Sequence, residues 1–202
     1  RQFIHGTIYN IYMDDNGLLH AGAEDRALTW MDACIDSRPV TPRHGYPVEI
    51  NALWYNAVCF AAELAGRFGG DREFYFDDLI PKIRRSFQET FWNEEDACLG
   101  DVYCRGHLDR STRPNQLFAV ALPYSPLEPS QSRRVVDKVR DELLTPVGIR
   151  TLSPRDPRYR GRYEGSPAER DGAYHQGTVW PWLLGPFGEA WLKVAPDREE
   201  VK

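Results

Sequence analysis

Residues 47–70 read PVEINALWYNAVCFAAELAGRFGG, and within them Ile50, Leu53, Trp54, Ala57, Val58, Ala61, Leu64 and Ala65 recur at threes and fours. That spacing lines the apolar side chains along one side of an α-helix. Pro47 suits the first helical position, where its missing N–H removes no hydrogen bond, and Gly69-Gly70 supplies the stop. Outward from this helix the pattern continues. A second helical segment spans 72–92, with Pro81 expected to split or kink it near Leu79 or Ile80. Shorter helices are expected at 113–122, ending before Pro123, and at 130–144, where Val135, Val136, Val139, Leu143 and Leu144 share one face opposite a charged one. A last helix starts near Gly177 and runs to Val194, with Pro181 in its first turn.

The connections are long. Residues 1–36 read as irregular to extended, with a turn at Asp14-Asp15-Asn16-Gly17. Residues 93–112 read as a polar loop, and 145–176 form a stretch rich in Pro and Arg with neither helical nor strand period. Loops of that length inside a domain are usually functional. Few strand signals and alternating helices and loops predict an all-α fold, either a toroid of paired helices with a site built from loops at one end or a compact bundle.

The 202 residues carry a net charge of −5, which disfavours a nucleic-acid partner, and no apolar run is long enough to span a membrane. Four Cys without a CxxC pair and five scattered His give no metal-ligand spacing, so neither metal nor other cofactor is expected. No signal peptide leads the chain, which begins at Arg1, so a cytoplasmic location is the default expectation; the oligomeric state is not legible.

Six Trp, ten Tyr and nine Phe are the compositional excess, and rings serve as core or as stacking surfaces for a flat ligand face. Three clusters mix them with hydrogen-bonding groups. In Thr29-Trp30-Met31-Asp32, apolar neighbours would desolvate the Asp32 carboxyl and make it a proton donor near neutrality, although a lone Asp more often caps a turn. Around the start of the long helix, Glu49 either meets the helix dipole or accepts from sugar hydroxyls, with Asn51 beside it. Tyr174, His175, Gln176, Trp180 and Trp182, with Arg113, Asn115 and Gln116 at an earlier helix start, would suit a polyhydroxylated ring whose C–H face packs on aromatics. Each ring taken alone is more often core.

The strings LTWMDA, TPRHGYPVEINALWYNA, RPNQLFAVALP, LLTPVGIRTLSPRDPRYRGRYEG and RDGAYHQGTVWPWLLGPF resemble, in order, the amylo-α-1,6-glucosidase domain of prokaryotic glycogen debranching enzymes. The resemblance implies an (α/α)6 toroid of the glucoamylase kind. It would be incomplete within residues 1–202, which would form part of one catalytic domain with flanking helices on either side. It implies hydrolysis, with inversion, of α-1,6-linked branch glucose in glycogen or a related α-glucan. Asp32 matches the family's acid in TWMD. The family's base is a Glu in a segment after GTVWPW that this sequence lacks, and Glu189 has not the matching neighbours, so the chain alone is expected to be inactive. Two other readings stand beside this one: a non-catalytic glucan-binding piece, and a disaccharide phosphorylase whose phosphate could sit among Arg150, Arg155, Arg158, Arg160 and Arg162.

Overall fold

The computed structural model describes residues 2–69 and 76–195. Seven α-helices are present among them: α1 (Gln2–His5), α2 (Val48–Phe68), α3 (Leu79–Phe91), α4 (Phe118–Ala121), α5 (Pro129–Glu142), α6 (Pro167–Tyr174) and α7 (Leu184–Val194). Proline opens several of them. Pro129 and Pro167 stand in the first turns of α5 and α6, and Pro114 and Pro181 start short 3-10 turns at Pro114–Leu117 and Pro181–Leu183, where no backbone donor is needed. α2 follows extended Pro47 and ends at Gly69, whose left-handed conformation (φ 72°) lets its N–H reach Ala65 O at 2.9 Å.

The all-α toroid expected from the sequence is not what the chain forms. Among the described residues helix accounts for only 45% and strand for 16%, in five small antiparallel sheets, so the fold is mixed α and β. The twelve strands among the described residues are β1 (Tyr12–Met13), β2 (Leu19–His20), β3 (Cys34–Ile35), β4 (Arg38–Pro39), β5 (Tyr46–Pro47), β6 (Trp92–Asn93), β7 (Cys98–Leu99), β8 (Val102–Cys104), β9 (His107–Asp109), β10 (Leu144–Thr145), β11 (Gly148–Arg150) and β12 (Val179–Trp180). β1–β2, β3–β4 and β6–β7 are two-stranded ribbons, while β5-β8-β9 and β10-β11-β12 are three-stranded. Elements of two or three residues are too short for an alternating pattern to show in sequence. The segments 93–112 and 145–176, read as loops, hold β6–β9 and β10–β11 with α6.

Two helix assignments also shift. Of the segment expected at 72–92, residues 72–75 lie outside the described residues and 76–78 are not helical; Pro81 is the third residue of α3, among the first-turn positions that lack a backbone acceptor, so it neither splits nor kinks the helix. The last helix begins at Leu184 rather than near Gly177, because Val179 and Trp180 pair with β11 and Pro181 opens a 3-10 turn.

The core lies between α2, α3, α4, α5 and α7. Val48, Ala52, Tyr55 and Val58 of α2 pack with Ile83, Phe87 and Phe91 of α3, Val135, Val136 and Val139 of α5, and Ala190 of α7. Two sheets are welded onto helix starts. β5 pairs with β8 (Pro47↔Val102) and leads directly into α2, and β12 pairs with β11 (Ile149↔Trp180) and leads into the 3-10 turn before α7. Gly45, at φ +100°, precedes β5; a Cβ there would lie 2.5 Å from Tyr103 O, so glycine is what lets the sheet close on the helix start. No described helix is long and apolar enough to cross a membrane.

Candidate functional site

The helix starts meet around a buried polar network. Arg43, 6% exposed, sits between two carboxylates. It makes paired bonds to Glu49 in the first turn of α2, and its Nε and Nη2 donate to Asp101 Oδ2 and Oδ1 at 2.9 and 3.1 Å. Burial alone would weaken the Arg43 guanidinium's hold on its proton, but the charges of Asp101 and Glu49 raise its pKa above the ordinary value. Asn115 Nδ2 donates to the same Asp101 Oδ1 at 2.7 Å. Arg113, 1% exposed, donates from Nη1 to Thr151 O (3.0 Å) and His175 O (2.7 Å) and from Nη2 to Gln176 Oε1 (2.9 Å). Its Nε stands 3.6 Å from Asp101 Oδ2. Two guanidinium groups therefore face two carboxylates, which balances the interior charge.

This network holds Thr29, Trp30 and Met31 in turn. Arg43 Nη1 donates to Thr29 Oγ1 at 3.2 Å, and Trp30 Nε1 donates to Asn115 Oδ1 at 2.8 Å. Met31 is buried, its sulfur 3.6 Å from Asn115 Nδ2 and 3.9 Å from Arg113 Nη1. Asp32 is left pointing outward and exposed. The apolar wrapping expected of it is absent, because Met31 rather than Asp32 turns into the core.

Rings surround the same point. Trp30 meets His175 edge to face (centroids 5.2 Å apart, 81°) and Trp182 likewise (5.0 Å, 87°). Tyr174 contacts both His175 and Trp180 at 4.8 Å, and Trp180 Nε1 donates to Tyr174 O at 3.1 Å. Trp182, 45% exposed, is the most accessible ring of the group. Gly177, at φ +139°, lets the chain pass this cluster; a Cβ would fall 2.6 Å from Arg160 O.

Of the residues singled out in sequence, Asp32, Trp30, Tyr174, Trp180 and Trp182 keep exposed surface here. Glu49, Asn51, Arg113, Asn115, Gln116, His175 and Gln176 are buried, and most of their polar atoms are already engaged. Asn51 binds the backbone of Leu19 and Pro47. Gln116 accepts from Leu99 N and donates to Arg113 O. Gln176 donates to Thr41 Oγ1 at 3.2 Å. These residues frame the face rather than line it. Sequence reading missed Arg43 and Asp101 as participants; the TPRHGYP run around Arg43 carries no signal that its guanidinium is buried. Among the described residues, no cluster of three or more His, Cys, Asp or Glu side chains is arranged to hold a metal ion.

His175 is 1% exposed, and its Nδ1 is buried without a hydrogen-bond partner. Burial pushes its pKa down to about 4, against the opposing pull of Asp32 and with help from the Arg113 and Arg43 charges. A histidine whose folded pKa lies below its unfolded value takes up its proton more readily on unfolding, so stability falls as pH drops from about 6.5 towards 4. The expected loss reaches roughly 3 kcal/mol. Urea midpoints at pH 7 and pH 4.5 test this: His175→Phe should lose distinctly less over that interval than the unsubstituted chain, and equal losses would refute it.

Comparison with known proteins shows the family. Residues 1–202 match the family described as amylo-alpha-1,6-glucosidase. The chain is similar to the glycogen debranching enzyme of Saccharomyces cerevisiae (strain ATCC 204508 / S288c), with 31% identity over 229 aligned positions that cover 90% of this chain. It spans 15% of the length of that relative. The relative is a yeast protein, so what the comparison supports is the family and not the prokaryotic subgroup suggested by the sequence strings. Matched along its whole length, the chain belongs to the amylo-α-1,6-glucosidase family.

Proposed function

We propose that this chain supplies the proton-donating face of a glycogen-debranching glucosidase, with Asp32 as general acid and a branched α-glucan as substrate. Family membership gives the reaction class, and the observation that carries the residue assignment is the placement of Asp32. It is an exposed carboxyl group that directly follows Thr29, Trp30 and Met31, each of which is held by the buried network, and Trp30 itself packs edge to face on Trp182. Hydrolysis of an α-1,6 bond needs a proton delivered to the leaving oxygen, and inverting chemistry needs a second carboxylate some ~6.5–9.5 Å away to activate water. We place that second group elsewhere in the parent polypeptide and not at Glu189, which stands exposed on α7 beside Lys193.

The phosphorylase reading has less support. It requires cations free to hold phosphate, yet three of its five arginines are paired with carboxylates, Arg155 with Glu142, Arg158 with Asp156 and Asp109, and Arg162 with Glu164. The test is glucose release from a limit dextrin by the parent protein that contains this chain. Release should proceed equally with and without phosphate, while residues 1–202 alone should release none; strict dependence on phosphate would overturn the hydrolase reading.

The rings divide by exposure. Trp182→Ala should weaken glucan binding roughly 3- to 10-fold at nearly unchanged melting temperature, because its outer face is free to stack on a sugar. Trp180, tied to Tyr174 by its indole N–H, should when truncated lower stability first. Titration calorimetry and thermal melts on both variants separate the two roles, and a Trp182→Ala protein that binds glucan normally removes that ring from the site.

A further inference from the structure

We propose that Asp101 is a positioning residue of the candidate site: through Asn115 it sets the orientation of the Trp30 indole, and with it the segment that presents Asp32. The inference rests on the debranching reading only where activity is measured.

Asp101 is 2% exposed and anchored by its own backbone. Its N–H donates to Asp109 O at 2.8 Å, and its carbonyl accepts the Val48 N–H at 3.0 Å, one of the donors at the start of α2 that lacks a partner within the helix. The carboxylate is thus fixed relative to both the β5-β8-β9 sheet and α2. Arg43 fills one side of it through two N–H bonds. The remaining approach to Oδ1 is taken by Asn115 Nδ2 at 2.7 Å.

A carboxylate only accepts hydrogen bonds, whereas a side-chain amide can present either its oxygen or its NH2. Facing Asp101, Asn115 has one workable orientation, with the NH2 towards the carboxylate and the oxygen away from it. The reversed amide would set two acceptors face to face at the Asp101 end and two donors face to face at the Trp30 end. The charge on Asp101 therefore dictates that Asn115 Oδ1 meets the Trp30 N–H at 2.8 Å. Held at that edge, the Trp30 ring stands across both His175 and Trp182. Neither Asp101 nor Asn115 has to touch substrate for this to matter: Trp30 is two residues from Asp32, and Met31 between them is clamped under Asn115.

The decisive variant is Asp101→Asn, alone and combined with Trp30→Phe. An asparagine at 101 can offer its own NH2 to Asn115 Oδ1, so the Asn115 amide is free to reverse and the Trp30 N–H loses its acceptor. In the parent enzyme, Asp101→Asn should lower kcat roughly 10- to 10²-fold, in the range expected when a reacting group is misplaced by about an ångström. Once Trp30→Phe has removed the indole N–H, the same Asp101→Asn change should lower kcat by less than 2- to 3-fold more. A merely structural Asp101 would act equally in both backgrounds, and that result would overturn the proposal.

A second measurement does not depend on Asp101→Asn. In the unsubstituted parent protein, with signals assigned from single Trp→Phe changes, the Trp30 indole proton should exchange with solvent at least about 10-fold more slowly than that of Trp182, whose ring is open to water. Equal rates would overturn the relay even if Asp101→Asn fails to fold. A parent protein that releases no glucose would instead refute the debranching reading, leaving the indole exchange to decide the relay by itself.

Discussion

Asp32→Asn should reduce debranching turnover by roughly 10²- to 10⁴-fold or more while leaving glucan affinity close to that of the unsubstituted enzyme. The direction follows from chemistry: an amide of the same shape keeps the contacts of a carboxyl group but has no proton to pass to a leaving glycosidic oxygen. The size follows from placement, because Thr29, Trp30 and Met31 are each held by the interior network and the Asp32 side chain is not. Removing the Asp32 carboxyl group should therefore cost activity and almost no stability, the opposite of what removing a buried carboxylate such as that of Asp101 would do. The measurement is glucose released per folded molecule from a limit dextrin, with thermal melts on the same samples. Near-normal turnover would displace Asp32 from its role, and a melting temperature lowered by many degrees would show that the residue is part of the scaffold.

What could be read without coordinates depended on the length over which a pattern repeats. α2 spans 21 residues, enough turns for the threes and fours from Ile50 to Ala65 to declare a helix. Even there, periodicity does not say which apolar residues are covered: Leu53, Phe60 and Leu64 are exposed while Ala52, Tyr55 and Val58 are buried. The strands, two or three residues each, offer no alternation to detect, so the all-α expectation failed in the stretches that hold β6–β9 and β10–β12. The clusters around Trp30 and Trp180 were legible because aromatic and polar residues mix there out of helical register. Arg43 and Asp101 were not, since a charged residue beside glycine or proline reads as a surface turn; it is their pairing across 58 positions, with Glu49 and Arg113 beside them, that makes their burial tolerable.

That pairing leads to the second large effect. Arg43→Met should destabilise the fold by roughly 3–5 kcal/mol, because it leaves the carboxylates of Glu49 and Asp101 inside the protein without the cation between them. For a chain of this size such a loss lowers the melting temperature by about 10 °C or more. The net worth of the buried charges against apolar replacements is smaller, so the triple change Arg43→Met, Glu49→Leu, Asp101→Leu should recover part of the lost stability, and only part, because Arg113 then stays buried without the carboxylate it faces. It should not recover activity. Thr29 would still lack its bond from Arg43, and Asn115, facing leucine, would no longer be obliged to turn its oxygen to Trp30. Chemical denaturation of the single and triple variants, read beside their glucose release, separates the two consequences. A triple variant that regained both stability and turnover would mean that the network holds the fold without holding Asp32; partly regained stability with activity still lost is the expected result, since burying charge is costly and here it fixes the segment that leads into Asp32.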